Sequence, residues 1–367
     1  MQGFAPIWAL GCMSGTSLDG VDVAAIRTDG ETIAEFGASA GLSYNDADRE
    51  TLRAALGLWP EGDAGRLALA EDVIHRRHAE VIAPLRDGID VLGFHGQTLN
   101  HDPKNHRTFQ IGDGVRLARE TGLKTVWDFR TLDMEHGGQG APLAPFFHFA
   151  CAKHIGAERP VAFLNLGGVA NITYVDPSKS NPEDDGALLA FDTGPANAMI
   201  DDFVKQRTGA PYDMDGQLAH AGRTKQGIVN TFLERKFFST KPPKSLDRND
   251  FAFLLKEVED LSTEDGVATL TAATILSVVH AAQWLPKPVR RGLVTGGGRK
   301  NQTIMRGLNA AAPFLVEPVE AVGLDGDMLE AQAFAFLAVR HLRGLPTSAP
   351  MTTGVKAPVS GGRIADP

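Results

Sequence analysis

Apolar residues fall into short dense runs separated by glycine-bearing turns. Ile7–Leu10 and Val21–Ile26 are two such runs, and Gly11–Gly20 lies between them. Runs of this length bounded by glycine predict buried strands, so the opening reads as strand, tight Gly/Ser/Thr turn and returning strand. Thr32–Phe36 predicts a third strand of a meander, joined through Asp29-Gly30. Leu67–Leu85 has helical spacing and is cut at Pro84; Asp90–Phe94, Thr108–Ile111 and Lys124–Phe129 read as strands, and Gly114–Thr121 as a helix. Past Pro160 the opening pattern returns: Val161–Leu166, a Gly167-Gly168 turn, Val169–Val175, then Leu188–Phe191 running into Asp192. Helices follow at Ala198–Val204 (with Pro195 suited to its first turn), Thr269–Leu285, Asn301–Leu308 and Met328–Leu342, and a strand at Leu293–Thr295 precedes Gly296-Gly297-Gly298. Strands followed by helices, met twice, imply α/β architecture with mixed sheets, duplicated, and a cleft between the halves. The expected division is an N-terminal lobe of residues 1–135, rejoined by the tail 345–367, and a C-terminal lobe of 136–344. The loop Met134–Pro142 is the expected connection, either as a hinge or as a ligand loop with Gln139 as a hydrogen-bonding group.

Composition narrows the function. An apolar fraction of 43% with 22% charged residues is that of a soluble globular protein. The net charge of -9 argues against a nucleic-acid surface and a polybasic membrane anchor, yet allows a phosphorylated small ligand neutralised locally. Two cysteines, Cys12 and Cys151, make no disulfide framework and predict a reducing compartment. No signal peptide is read at the N-terminus, and no stretch is expected to span a bilayer.

Three glycine turns follow strands: Ser14–Ser17, Gly167-Gly168 and Gly296–Gly298. Each alone is weak, because glycine there often means only close helix–strand packing. Together they fit a nucleotide held between two lobes. Backbone N–H groups and the hydroxyls of Ser14, Thr16 and Ser17 suit phosphate oxygens, although an ordinary hairpin has the same residues. The P-loop and Rossmann fingerprints are both missing. Asp192, at a strand end, is either a proton acceptor or a helix N-cap. Asp19 and Asp22 flank the first turn; one of them suits magnesium held through water, and Asp22 reads better as a solvated strand residue. Glu330 is a substrate contact or a favourable charge at a helix N-terminus. His95, His136 and His148 match no metal spacing. Asp192-Thr193-Gly194 has no second copy, as aspartic protease chemistry would need.

The motifs GCMSGTSLDGVD (Gly11–Asp22), GFHGQT (Gly93–Thr98), GGQGAPL (Gly137–Leu143), NLGGVANIT (Asn165–Thr173), DTGPAN (Asp192–Asn197) and GGGRKN (Gly296–Asn301) together resemble the anhydro-N-acetylmuramic acid kinases, from the N-terminus to about Arg340. Ala196, where glycine is expected, Trp127, and Thr131-Leu132, where basic residues are expected, depart from that pattern. The resemblance implies the two-domain fold of sugar kinases, actin and heat-shock ATPases, with ATP in the cleft between the lobes. It implies 1,6-anhydro-N-acetylmuramic acid as substrate, and Asp192 as the base that activates water. Glu330 would orient the substrate, with Gln139, from the ligand-loop reading, as a second expected sugar contact. Ser14, Gly15, Thr16, Ser17, Leu18, Asp19, Gly20 and Val21 would bind ATP, as would Gly296, Gly297 and Gly298. Asp19 would meet Mg2+ through water. A cytoplasmic homodimer, without nucleic-acid or membrane partners, completes the expectation. A kinase for another 1,6-anhydrosugar such as levoglucosan, or a non-catalytic sugar sensor, would share the fold.

Overall fold

The computed structural model describes residues 4–246 and 250–367. Contacts divide the chain into two compact units. The first comprises Met1–Gly156, Asn181–Glu183 and Met328–Pro367; the second comprises Ala157–Ser180 and Asp184–Asp327.

The strands of the first unit are β1 (Ile7–Ser14), β2 (Gly20–Thr28), β3 (Ile33–Ser43), β4 (Val91–Asp102), β5 (Arg107–Ile111) and β6 (Thr125–Trp127). In the sheet, β3, β2 and β1 form an antiparallel meander, and β4 and β6 continue it in parallel from β1. The C-terminal strand Arg363–Ala365 closes the far edge against β6, and β5 pairs with β4. The second unit has β7 (Val161–Leu166), β8 (Val169–Val175), β9 (Leu188–Pro195), β10 (Arg291–Thr295) and β11 (Leu315–Pro318). Here β9, β8 and β7 are antiparallel, and β10 and β11 continue in parallel from β7. Both units thus repeat one plan, as the returning sequence pattern predicts.

Several elements extend past their predicted ends. β1 carries Gly11–Ser14 as strand, and β4 carries His95–Thr98 as strand. The helix Asp46–Ala55 was not anticipated; Asn45 caps it, its side chain accepting from the Asp48 N–H. Pro195 ends β9 rather than opening the next helix, Asn197–Thr208.

The loop Met134–Pro142 lies inside the first unit and is not the inter-unit connection. Nor does helix Leu329–Leu342 belong with the second unit; it packs across β1, β2 and β4. Two glycines make that approach possible. A Cβ on Gly11 would sit 1.9 Å from the Ala331 carbonyl oxygen, and one on Gly93 would sit 2.1 Å from that of Phe334. Its last turn carries Arg340, whose buried guanidinium donates to the Gly30 carbonyl at 2.8 Å and pairs with Glu183 at 3.3 Å.

In the second unit, Thr263–Ala281 is apolar around most of its circumference and packs against β8 and β9 and several helices. With its extension to Trp284 it is, by length and composition alone, apolar enough to cross a membrane, contrary to expectation. Most of it is buried inside the protein, as in a core helix.

Candidate active site

The turn between β1 and β2 comprises residues 15–19. It closes with the Leu18 N–H donating to the Gly15 carbonyl at 3.1 Å, and Leu18 takes a left-handed φ of 58°. Leu18 and Val21 turn their side chains into the core. Ser14 is also buried; its hydroxyl donates to Gln97 Oε1 at 2.6 Å and lies 2.8 Å from the Tyr44 hydroxyl. The polar surface of this turn is therefore Thr16, Ser17 and Asp19, all exposed. Gly15 has open space where a Cβ would lie, its nearest neighbour being Ser17 Oγ at 3.5 Å, which suits close approach of a ligand. Gly20 is glycine for another reason, since its Cβ would meet the Leu42 carbonyl oxygen at 2.4 Å.

A second group in the first unit gathers around Arg130. Its guanidinium donates to His95 Nε2 at 3.1 Å and to the Gly140 carbonyl at 2.7 Å. The other His95 nitrogen, Nδ1, lies 2.8 Å from the Gly96 carbonyl. Accepting from Arg130 at Nε2 and donating at Nδ1 requires a neutral ring, and burial together with Arg130 pushes its pKa well down. Burial lowers Arg130 itself to about 10, opposed by the charges of Glu330 and Asp133. Glu330 stands exposed in the first turn of helix Leu329–Leu342. Asp133 is wholly buried and accepts from the Gly140 N–H, Ser348 Oγ and Thr353 Oγ1 at 2.5–2.7 Å. The Gln139 N–H donates to the Thr353 carbonyl at 2.8 Å. This pins the loop carrying Gln139 to the C-terminal tail. The hinge reading of the loop fails, and the ligand-loop reading keeps its rigid scaffold.

In the second unit, Asp192 lies within β9. The pairing with β8 shifts register here: Ala170 opposes Gly194 while Asn171 opposes Asp192. One extra residue on β9 is a bulge, a device that re-aims side chains beside functional sites. The N-cap reading is excluded, since the helix that follows is capped at Ala196 without a side-chain bond. Asp192 Oδ2 accepts from the Leu246 N–H at 2.7 Å. Burial raises its pKa to about 7, against the lowering effect of that N–H.

The two glycine turns of this unit differ. Gly167 and Gly168 offer their carbonyls to the N–H groups of Asn197 and Ala196 at 2.9 and 3.1 Å. Gly296 has φ 75°, and its Cβ would lie 2.4 Å from Asn165 Oδ1; a Cβ on Gly298 would lie 2.5 Å from that of Leu166. Those two glycines are demanded by packing against β7. Gly297 meets only Asn197 Nδ2, at 3.5 Å, and is open. The neighbouring cations are already engaged: Arg299 pairs with Glu320 and Asp327, and Lys300 with Asp327, at 2.8–3.0 Å.

Among the described residues, no group of three or more His, Cys, Asp or Glu is arranged to hold a metal. Magnesium fits this chain as an ion that arrives with phosphate and water ligands, with the exposed carboxylate of Asp19 beside the turn. Both cysteines are buried thiols.

A family model described as anhydro-N-acetylmuramic acid kinase matches residues 8–367. The chain belongs to that family. It is 55% identical over 362 residues to the anhydro-N-acetylmuramic acid kinase of Ruegeria sp. (strain TM1040), covering 99% of this chain and 96% of that protein. It is 57% identical to the enzyme of that name from Cereibacter sphaeroides, over 98% of this chain and 96% of the other, and 50% identical to that of Paramagnetospirillum magneticum, over 97% and 98%.

Sequence reasoning passed over Asp133 and Leu246. Asp133 stands three residues after Arg130 and before a Gly-Gly-Gln-Gly run, which was a usable signal for a loop anchor. Leu246 acts through its backbone, which leaves no trace in residue type.

Proposed function

We propose that this chain is an ATP-dependent kinase that hydrolytically opens 1,6-anhydro-N-acetylmuramic acid and phosphorylates O6, yielding N-acetylmuramic acid 6-phosphate and ADP in peptidoglycan recycling. The observation that carries this reading is the family match over residues 8–367, joined to a partly buried carboxylate, Asp192, with a pKa near 7. A base with a pKa near the working pH is at its most effective.

In this reading Asp192 takes a proton from water as the water oxygen bonds to C1. The C1–O6 bond breaks, and O6 bonds to the γ-phosphorus of ATP. The bond from that phosphorus to the bridging oxygen breaks and ADP leaves. Asp192 then gives its proton to solvent. Phosphoryl transfer asks chiefly for positioning and charge neutralisation. The open turn with Thr16, Ser17 and Gly15 supports phosphate binding, and Gly296–Gly298 would lie beside the nucleotide. Leu18, Gly20, Val21 and the Ser14 hydroxyl serve that turn by fixing its shape. Asp19 would meet, through water, a magnesium ion brought with ATP, and that ion would supply charge neutralisation. Glu330 and Gln139, with Arg130, would hold the sugar. A cytoplasmic homodimer belongs to the same reading, and light scattering on the purified protein checks it.

The test is ADP release with Mg-ATP against 1,6-anhydro-N-acetylmuramic acid, levoglucosan and N-acetylmuramic acid. Turnover of the first sugar alone is expected; preference for levoglucosan would change the substrate, and silence on all three would overturn the reading. Asp192→Asn should lower turnover by about 10²–10⁴. The rate should rise with pH through about 7, because the carboxylate must lose its proton to act.

A further inference from the structure

One short segment holds Asp192 by two atoms. The Asp192 N–H donates to the Lys244 carbonyl at 3.0 Å, and the Leu246 N–H donates to Asp192 Oδ2 at 2.7 Å. The segment is itself anchored. The Lys244 ammonium donates to the Phe237 carbonyl at 2.8 Å and lies 4.3 Å from the Phe237 ring centre, with the Phe191 and Trp284 rings beyond. Phe237 belongs to a cluster with Phe238 and Phe251 that packs against Phe232. Phe191, the residue before Asp192, is buried in the core. The anchor and the carboxylate therefore share one rigid apolar block.

We propose that Lys244–Leu246 is a positioning strap for the Asp192 carboxylate, with the Leu246 N–H as the orienting donor and the Lys244 ammonium as the anchor. This rests on Asp192 being the base of the proposed reaction. Fixing Oδ2 on a backbone N–H sets the plane of the carboxylate and leaves Oδ1 to take the proton of the attacking water. The same N–H opposes burial, keeping a desolvated carboxylate ionisable near neutral pH. Of the elements packed against β9, β8 faces Asp192 with Asn171, and the helix Thr263–Ala281 brings Ser277 against Gly194. The cation on the strap, Lys244, is directed to the Phe237 carbonyl. It is lowered to about 8 by burial, which makes it sensitive to the same pH range.

Leu246→Pro deletes the donor, Lys244→Met deletes the anchoring charge while keeping the apolar stem, and Lys244→Arg keeps the charge. Leu246→Pro should lower kcat by about 10- to 100-fold, the range for a hydrogen bond to a charged group. KM for sugar and ATP should change less than about twofold, and the acidic limb of the rate profile should move to higher pH. Lys244→Met should show the same pattern more weakly, and Lys244→Arg should restore most of the rate. If Leu246→Pro fails to fold, Lys244→Met decides. Folded Lys244→Met with wild-type kcat and an unmoved acidic limb, alongside an inactive Asp192→Asn, overturns the strap and leaves the base in place. An Asp192→Asn variant with full turnover removes the base, and the strap with it.

Discussion

The two sheets share one strand order but spend it differently. In the first unit the exposed chemistry is on the first turn, where Thr16, Ser17 and Asp19 project from a loop whose other members are buried. In the second unit the corresponding Gly167-Gly168 turn is tied off by backbone bonds. The candidate base stands instead on the third strand, as Asp192 in β9. Its topological counterpart β3 is largely exposed, and although its pairing with β2 also shifts register, beside Glu35, that carboxylate is exposed where Asp192 is partly buried. A repeated topology thus fixes where turns and edges occur, and local residues decide which turn stays open and which strand carries a partly buried carboxylate. The packing differs likewise. Backbone meets backbone where helix Leu329–Leu342 crosses Gly11 and Gly93, whereas Gly194 meets side chains, Ser277 closely and Phe238 at van der Waals distance.

That difference is breakable. Gly11→Val should prevent the first unit from folding, costing more than about 4 kcal/mol, because a Cβ there meets the Ala331 carbonyl oxygen at 1.9 Å; circular dichroism of the full chain checks it. Gly194→Ala should cost less, about 1–3 kcal/mol, and Ser277→Gly should recover most of that in the double variant, since the clash is with one side chain. Failure of the rescue would mean that the β9–helix contact is as backbone-bound as its counterpart. Within the first turn, Gly20→Ala should destabilise by about 1–3 kcal/mol while Gly15→Ala leaves the melting temperature unchanged. Gly15→Ala or the pair Thr16→Ala, Ser17→Ala should instead raise KM for ATP by several-fold (about 1 kcal/mol per lost hydrogen bond). A separate effect concerns stability against pH. The folded pKa of Asp192 lies above the unfolded value near 3.9. Its protonated form therefore favours folding, and this contribution is lost as pH rises from about 4 through 7. Asp192→Asn escapes the loss and should melt higher than wild type at pH 8, with the gap closing by pH 4.

Much of this was legible in the sequence because it rests on residue type and short spacing. Asp192, the glycine turns and the paired strand–turn–strand units all announce themselves locally. The divided first unit does not. What returns helix Leu329–Leu342 to the first sheet is the absence of side chains at Gly11 and Gly93, which lie over two hundred residues away in the chain and resemble any other glycines. The strap was hidden because its contact to Asp192 is a main-chain N–H, available from every residue except proline. Helix Asp46–Ala55 escaped because its cap, Asn45, is equally at home in a turn.

The divided first unit also sets an order of events at the ribosome. Its sheet is encoded almost entirely before residue 128, yet the helix that covers Gly11 and Gly93 ends at Leu342. At roughly 5–20 residues per second, that apolar sheet face waits on the order of ten seconds or more for its cover. The second unit lies within the intervening segment and can be complete first. The earliest-made half of the protein is thus the last to close, and the face of the nascent chain that waits uncovered is that of β1, β2 and β4.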